Sequence, residues 1–184
     1  MRRAALVLTV TVFAGCATET RHPVTGPPLK AVTEDEARTL LNDLRLDLKE
    51  VSLAQIGGHA LEPRVADGQL FAELSQAALF EQGNAQVRAE ALKALAEIAE
   101  DVGARGGCVA HVIAFAAADA DADLAERRAA SIADDFAHHS IAPSRLRFEA
   151  RVDDKRADHV LVVLKPVIIG RESPAWKAPV LSDE

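Results

Sequence analysis

The chain has 184 residues, enough for one domain of ordinary core size with extensions. Apolar residues make up 49% of it, drawn from Ala, Leu and Val rather than aromatics, with no Tyr and a single Trp to stack on bases. The formal charge is −7 and no basic stripe interrupts it, which excludes nucleic acid as the partner.

Arg2 and Arg3 precede an unbroken apolar or small run from Ala4 to Ala14, and Phe13-Ala14-Gly15-Cys16 closes it. A run of this length is too short to span about 30 Å of hydrocarbon as a helix and reads as a signal peptide over residues 1–15. The four closing residues resemble the lipobox of bacterial lipoproteins, with Phe13 where an aliphatic side chain is usual. The resemblance implies lipid attachment at Cys16 and anchoring in a membrane by acyl chains. Ala17 in place of Asp after that cysteine implies sorting to the outer membrane, facing the periplasm. The competing reading is an ordinary secretory signal with an incidental cysteine. With Cys16 acylated, Cys108 is the one thiol left in the mature chain, so no intrachain disulfide forms. Cys108 reads as a buried small hydrophobe, because strand alternation puts the nearby His111 on the opposite face from it.

Residues 16–32 follow as the lipidated cysteine and a tether, polar and broken by Pro23, Pro27, Pro28 and Gly26. Thr33 to Glu36 form a capping box, and Ala37, Leu40, Leu41, Leu44, Leu48 and Val51 recur at helical spacing, so 33–67 reads as an amphipathic helix and connector. Asp67-Gly68 is a turn signal. From 68 to 168 strands and helices alternate in the order β-α-β-α-β-β, which implies an α/β (α+β) mixed sheet with helices packed on one face. In the first strand Leu70, Ala72 and Leu74 alternate with Phe71, Glu73 and Ser75; Val87, Ala91, Leu95, Ile98 and Val102 then share a helical face. The next strand, Cys108 to Phe115, runs into an acidic turn, and a second helix follows with Asp123 expected as N-cap, Glu126 three residues on, and Arg127 and Arg128 on its opening turns. Leu146, Phe148, Ala150 and Val152 are expected to face inward from the third strand, and His159 to Leu164 make the last. Residues 169–184, with Trp176, show no periodicity and read as a mobile tail.

Three pieces carry a family resemblance over about Gln69 to Pro166. Leu79-Phe80 with Gly83 and Ala85 looks like the L-F-D-F-G-S-A-x-L of OmpA-like domains, the peptidoglycan-associating module of envelope lipoproteins and flagellar stators. Leu124-Ala125-Glu126-Arg127-Arg128-Ala129 resembles the family's L-S-E-R-R-A, and Ile141-Ala142-Pro143-Ser144-Arg145-Leu146 is similar to its I-P-A-S-R-L. The resemblance implies noncovalent binding of the diaminopimelate of a peptidoglycan stem, whose amine and carboxylate need one fixed charge of each sign. Arg128 matches the family's ligand arginine. The place of its T-D aspartate falls on Ala117 and Ala118, which leaves Asp119, Asp121 and Asp123 as the nearest acids and Asp119 as the candidate. The closing N-R-R-V is replaced by Ala157-Asp158-His159-Val160.

Other chemistries are less well served. Asp119, Asp121 and Asp123 imitate half of a calcium loop, but Leu124 stands where glycine is needed and Ala130 where the bidentate glutamate belongs. His138 and His139 point about 100° apart on a helix and read as surface groups near its negative end. No nucleophile elbow, zinc spacing or phosphate loop occurs, so no enzyme, cofactor or metal is expected. Two functions fit: a lipid-anchored tether to peptidoglycan through Arg128 and a nearby acid, or an OmpA-like domain without wall binding that contacts other envelope proteins. For Arg128 itself the competing reading is a helix arginine bridging Glu126 or Asp135.

Overall fold

The computed structural model describes residues 27–51, 62–118, 120 and 122–171, so Cys16, the expected signal peptide, Asp119, Asp121 and Trp176 lie outside the described residues. Helix α1 spans Glu34–Glu50 and begins as its sequence dictates. The Thr33 hydroxyl accepts from the Glu36 N–H at 3.3 Å while the Thr33 N–H donates to the Glu36 carboxylate at 2.7 Å, which satisfies two otherwise orphaned donors. Those hydrogen bonds also lower the pKa of Glu36. Ala37, Leu41, Leu44 and Leu48 are buried along one stripe, each leucine contributing about 2 kcal/mol on leaving water. Among the described residues no helix is long and apolar enough to cross a membrane.

Strand β1 (Arg64–Ala66) turns at Asp67 and Gly68 into β2 (Gln69–Ser75). Both turn residues have positive φ, the two-residue geometry that matches the twist of a hairpin. Three residues are too few to show a period, so β1 adds to the expected elements. A four-residue helix α2 (Gln76–Leu79) leads through a turn to α3 (Ala89–Arg105). Val87, expected on that helix, instead pairs with Phe80 in an isolated bridge just before it. Then come β3 (Cys108–Ala116), α4 (Ala122–His138), a 3-10 turn at Pro143–Arg145, β4 (Leu146–Val152), a second turn at Asp154–Arg156, and β5 (His159–Pro166).

The five strands lie in the order β1-β2-β5-β3-β4. All neighbours are antiparallel except β3 and β4, which are parallel as a strand–helix–strand crossover requires. The helix-side core takes Leu70, Ala72 and Leu74 of β2, Cys108, Ala110, Val112 and Ala114 of β3, and Val160, Val162 and Leu164 of β5. Period-2 alternation thus sends Phe71, Ile113, Phe115, Leu161 and Val163 to a second, smaller cluster. The mixed sheet and the packed helices agree with the expected architecture.

Two local expectations are corrected. Helix α4 already includes Ala122, so Asp123 lies in its first turn rather than capping it. Phe148 and Val152 do alternate with the charged side chains of β4, but they are 49% and 61% exposed rather than inward. Alternation fixes a face, whereas burial depends on a neighbour; β4 is the last strand of the sheet and pairs only with β3 among the described residues.

At the opposite corner Arg145 is fully buried. Its Nε donates to the Cys108 carbonyl at 2.9 Å, Nη2 to Val102 at 2.9 Å, and Nη1 to Gly103 at 3.2 Å and Pro27 at 3.4 Å. The cation therefore sits at the negative end of α3 and satisfies carbonyls that the helix leaves unpaired. Residues 27–32, the last part of the expected tether, are laid against this corner: the Lys30 N–H donates to Gly106, and Val32 exchanges bonds with Val167 and Ile169.

Candidate functional site

Strand β2 ends at Ser75 and passes directly into α2, so Gln76 occupies the corner where β2 and β3 finish and β5 begins. Its side chain is buried. Nε2 lies 2.6 Å from the Phe115 carbonyl, 2.9 Å from that of Ala157 and 3.1 Å from that of His159, so its two hydrogens are shared among three acceptors. The Gln76 backbone N–H donates to Asp158 at 2.7 Å. The side-chain orientation is then fixed, and Oε1 is left pointing at α4.

There it accepts from Arg128 Nη1 at 2.5 Å. Arg128 also donates through Nε to the Asn84 carbonyl at 3.0 Å and through Nη2 to that of Glu81 at 3.3 Å, and its guanidinium stands 5.0 Å from the Phe80 ring centre. Each nitrogen uses one N–H, and the fork is held against an aromatic face that favours a cation. Partial burial lowers the pKa of Arg128 without discharging it. The turn supplying two of these acceptors is closed by the Asn84 N–H on Glu81 and passes through Gly83 at φ +73°, where a side chain would be strained.

These groups border an open cleft of about 750 Å³, lined among others by Gln76, Phe80, Glu81, Arg88, Arg128 and Asp158. Arg88 is steadied by donating to the Ala77 carbonyl at 3.0 Å, and Asp158 pairs with His159 at 2.7 Å. Two arginines and two acidic residues thus line one opening beside an aromatic ring. Such a site can hold a ligand that carries charges of both signs. No cluster of potential metal ligands occurs among the described residues.

No protein-family model matches the sequence, and no curated protein matches it. Solved structures do. A MotB-like protein from Desulfovibrio vulgaris superposes with a TM-score of 0.60 at 16% identity, over 72% of this chain and 92% of that one. The cell wall anchor of the T6SS from Pseudomonas aeruginosa gives 0.51 at 16%, over 68% and 96%, and the periplasmic domain of Helicobacter pylori MotB gives 0.51 at 15%, over 56% and 85%. The fold is OmpA-like.

Within the OmpA-like fold, the expected site residues have unequal outcomes. Arg128 lies in the cleft, and the bonds just given reach across the fold to α2 and the following turn rather than along its own helix. Asp119 lies outside the described residues; the segment before it is tied down where the Ala118 N–H donates to Asp154 at 2.8 Å and the Asp153 N–H to Ala116 at 2.9 Å. Cys108 is buried, and burial raises its thiol pKa. His138 and His139 each set Nδ1 against the carbonyl four residues back on α4, at 2.7 and 2.9 Å.

Sequence reasoning missed Gln76, Arg88 and Asp158. A signal existed for Gln76, a large amide placed between an alternating strand and the apolar pair Leu79-Phe80. For Asp158 the signal was the departure from N-R-R-V, read as a loss although it puts a carboxylate at the cleft.

Proposed function

We propose that this OmpA-like domain tethers the cell envelope to peptidoglycan by binding the peptide stem noncovalently in the Arg128 cleft. The observation that carries the reading is the state of the Arg128 fork. One N–H of each nitrogen is committed to the protein, which leaves one on Nη1 and one on Nη2 to receive the two oxygens of a carboxylate. Gln76 and Phe80 hold the fork before a ligand arrives, so little side-chain entropy is lost on binding. For the ammonium group of a diaminopimelate, Asp158 and Glu81 line the same cleft, and Asp119 remains the candidate from the adjoining segment. The likeness in fold to a T6SS cell wall anchor and to MotB periplasmic domains supports the reading. Nothing in it calls for catalysis.

The lipobox-like run at Cys16 completes the proposal: acyl chains there hold the protein in the outer membrane, and residues 17–26 let the domain reach the wall from the periplasmic side. The test is retention of the full chain on purified diaminopimelate-type peptidoglycan beside Arg128→Ala, Asp158→Ala and Asp119→Ala. Retention that falls about tenfold or more in Arg128→Ala supports the reading, and the two aspartate variants then decide which carboxylate takes the ammonium. An unmodified chain that stays in the supernatant overturns wall binding. The anchor is tested separately by Cys16→Ser, which should move the protein from the membrane fraction to the soluble one.

A further inference from the structure

The two edges of the sheet are built differently. β1 is three residues long and follows Pro63, both devices that discourage pairing with another strand. β4 runs seven residues, Leu146–Val152, in unbroken register with β3 and contains no Pro, Gly or Lys. It also carries Phe148, 49% exposed, while Phe71, Phe80, Phe115 and Phe136 are buried. Such an edge is a template for another strand, and its side chains specify which one.

Arg147, Glu149 and Arg151 occupy one face of β4, in register with His111, Ile113 and Phe115 of β3, while Leu146, Phe148, Ala150 and Val152 occupy the other. Consider a second copy of β4 laid antiparallel against the first. With the two-fold axis at Glu149, glutamate would oppose glutamate and Arg147 would oppose Arg151, a like-charge array that disfavours pairing. With the axis at Phe148, Arg147 opposes Glu149 of the second copy and Glu149 opposes its Arg147, while Leu146 opposes Ala150. On the helix face Phe148 then meets Phe148 of the second copy, which covers the exposed ring. Glu149 already lies 2.5 Å from Arg151 and 3.6 Å from His111 within its own chain, so its carboxylate is held on this face.

We propose that β4 is a self-association edge: two copies of this chain pair through antiparallel β4 strands in the register centred on Phe148, joining two five-stranded sheets into one of ten. The pairing is independent of the Arg128 cleft, which sits where α2, the start of α4 and the residues before β5 meet. Charge complementarity singles out a second copy, because the strand matches itself in one register and repels itself in the adjacent one.

The test is the oligomeric state of the full chain carrying Cys16→Ser in mild detergent, by sedimentation equilibrium, with circular dichroism to confirm that each variant is folded. The unmodified edge should give a dimer. Arg147→Glu alone and Glu149→Arg alone each set like charges opposite one another and should weaken association about tenfold. Mixed together, the two single variants are complementary at both positions, and dimer should return. Phe148→Cys should cross-link to itself on oxidation, whereas Val152→Cys should not. A protein that remains monomeric, or a dimer indifferent to these charges, overturns the proposal, and a monomer leaves the edge to a strand of a different chain.

Discussion

Gln76 and Arg128 meet through a 2.5 Å hydrogen bond between Oε1 and Nη1, joining two elements 52 residues apart in sequence. The same amide holds the ends of β3 and β5 through its nitrogen, so one buried side chain sets both the corner of the sheet and the aim of the cleft's guanidinium.

Replacing it by leucine keeps the volume and removes every one of those bonds. Gln76→Leu leaves buried carbonyls and one arginine N–H without this partner, and about 2–4 kcal/mol of stability should be lost. Urea denaturation measures this. Wall retention, assayed where the variant is still folded, should fall as well because the fork of Arg128 is no longer fixed.

Arg145 makes a sharper case, since a charge with no exposed surface is tolerated only where dipoles surround it. Arg145→Met should cost about 3 kcal/mol and lower Tm by about 10 °C, seen by calorimetry. Arg145→Lys should not restore it, because one ammonium cannot reach Cys108, Val102 and Gly103 in the directions that a planar fork does.

Gly103 lies within α3, where alanine ordinarily stabilises a helix by about 1 kcal/mol. A Cβ there would stand 2.7 Å from the Ser140 carbonyl oxygen and 2.9 Å from its carbon. Backbone cannot swing aside as a side-chain tip does, and Ser140 is already at φ +114°. Gly103→Ala should therefore destabilise, by about 1–3 kcal/mol, reversing the sign that propensity alone predicts. A higher denaturation midpoint would show that α4's end gives way freely.

Burial lowers the pKa of His111 from 6.5, with Arg151 and Arg147 acting in the same direction and Glu149 opposing them. The unfolded chain then binds this proton at a higher pH than the folded one. Stability is fully present above about 6.5 and declines as pH falls through that value toward the folded pKa. Urea midpoints between neutral and mildly acid pH should fall more steeply for the native protein than for His111→Leu. Parallel slopes would mean that His111 is not the group responsible.

Much of the fold is legible in the chain because it is written as a period. The capping box at Thr33 and the leucines of α1 announce a start and a face, and the alternation of Cys108 to Ala116 separates two cores correctly. Period is silent about position in a sheet. It put Phe148 on the helix side and could not reveal that, among the described residues, β4 is the last strand of the sheet. The site is less legible for a related reason: Gln76, Arg88 and Asp158 come from separate segments and have no spacing that ties them together. Arg128 was visible through its place at a helix start after a strand and its resemblance to a motif, but two of its partners are the backbone carbonyls of Asn84 and Glu81, which leave no mark in sequence.

The two ends of β3 face different mechanical worlds. Residues 27–32 are fastened near its start at Cys108, and the Arg128 cleft borders its finish at Phe115. If the chain is held by its N-terminus and grips the wall through the cleft, tension runs lengthwise along the nine residues of this strand. The same attachments also mark the ends of β5, since residues 27–32 bond to Val167 and Ile169 just after it and Gln76 holds His159 at its start, so the two strands share the load side by side. A pull on the N-terminal side would meet these strands only after stripping residues 27–32 from Gly106, Val167 and Ile169.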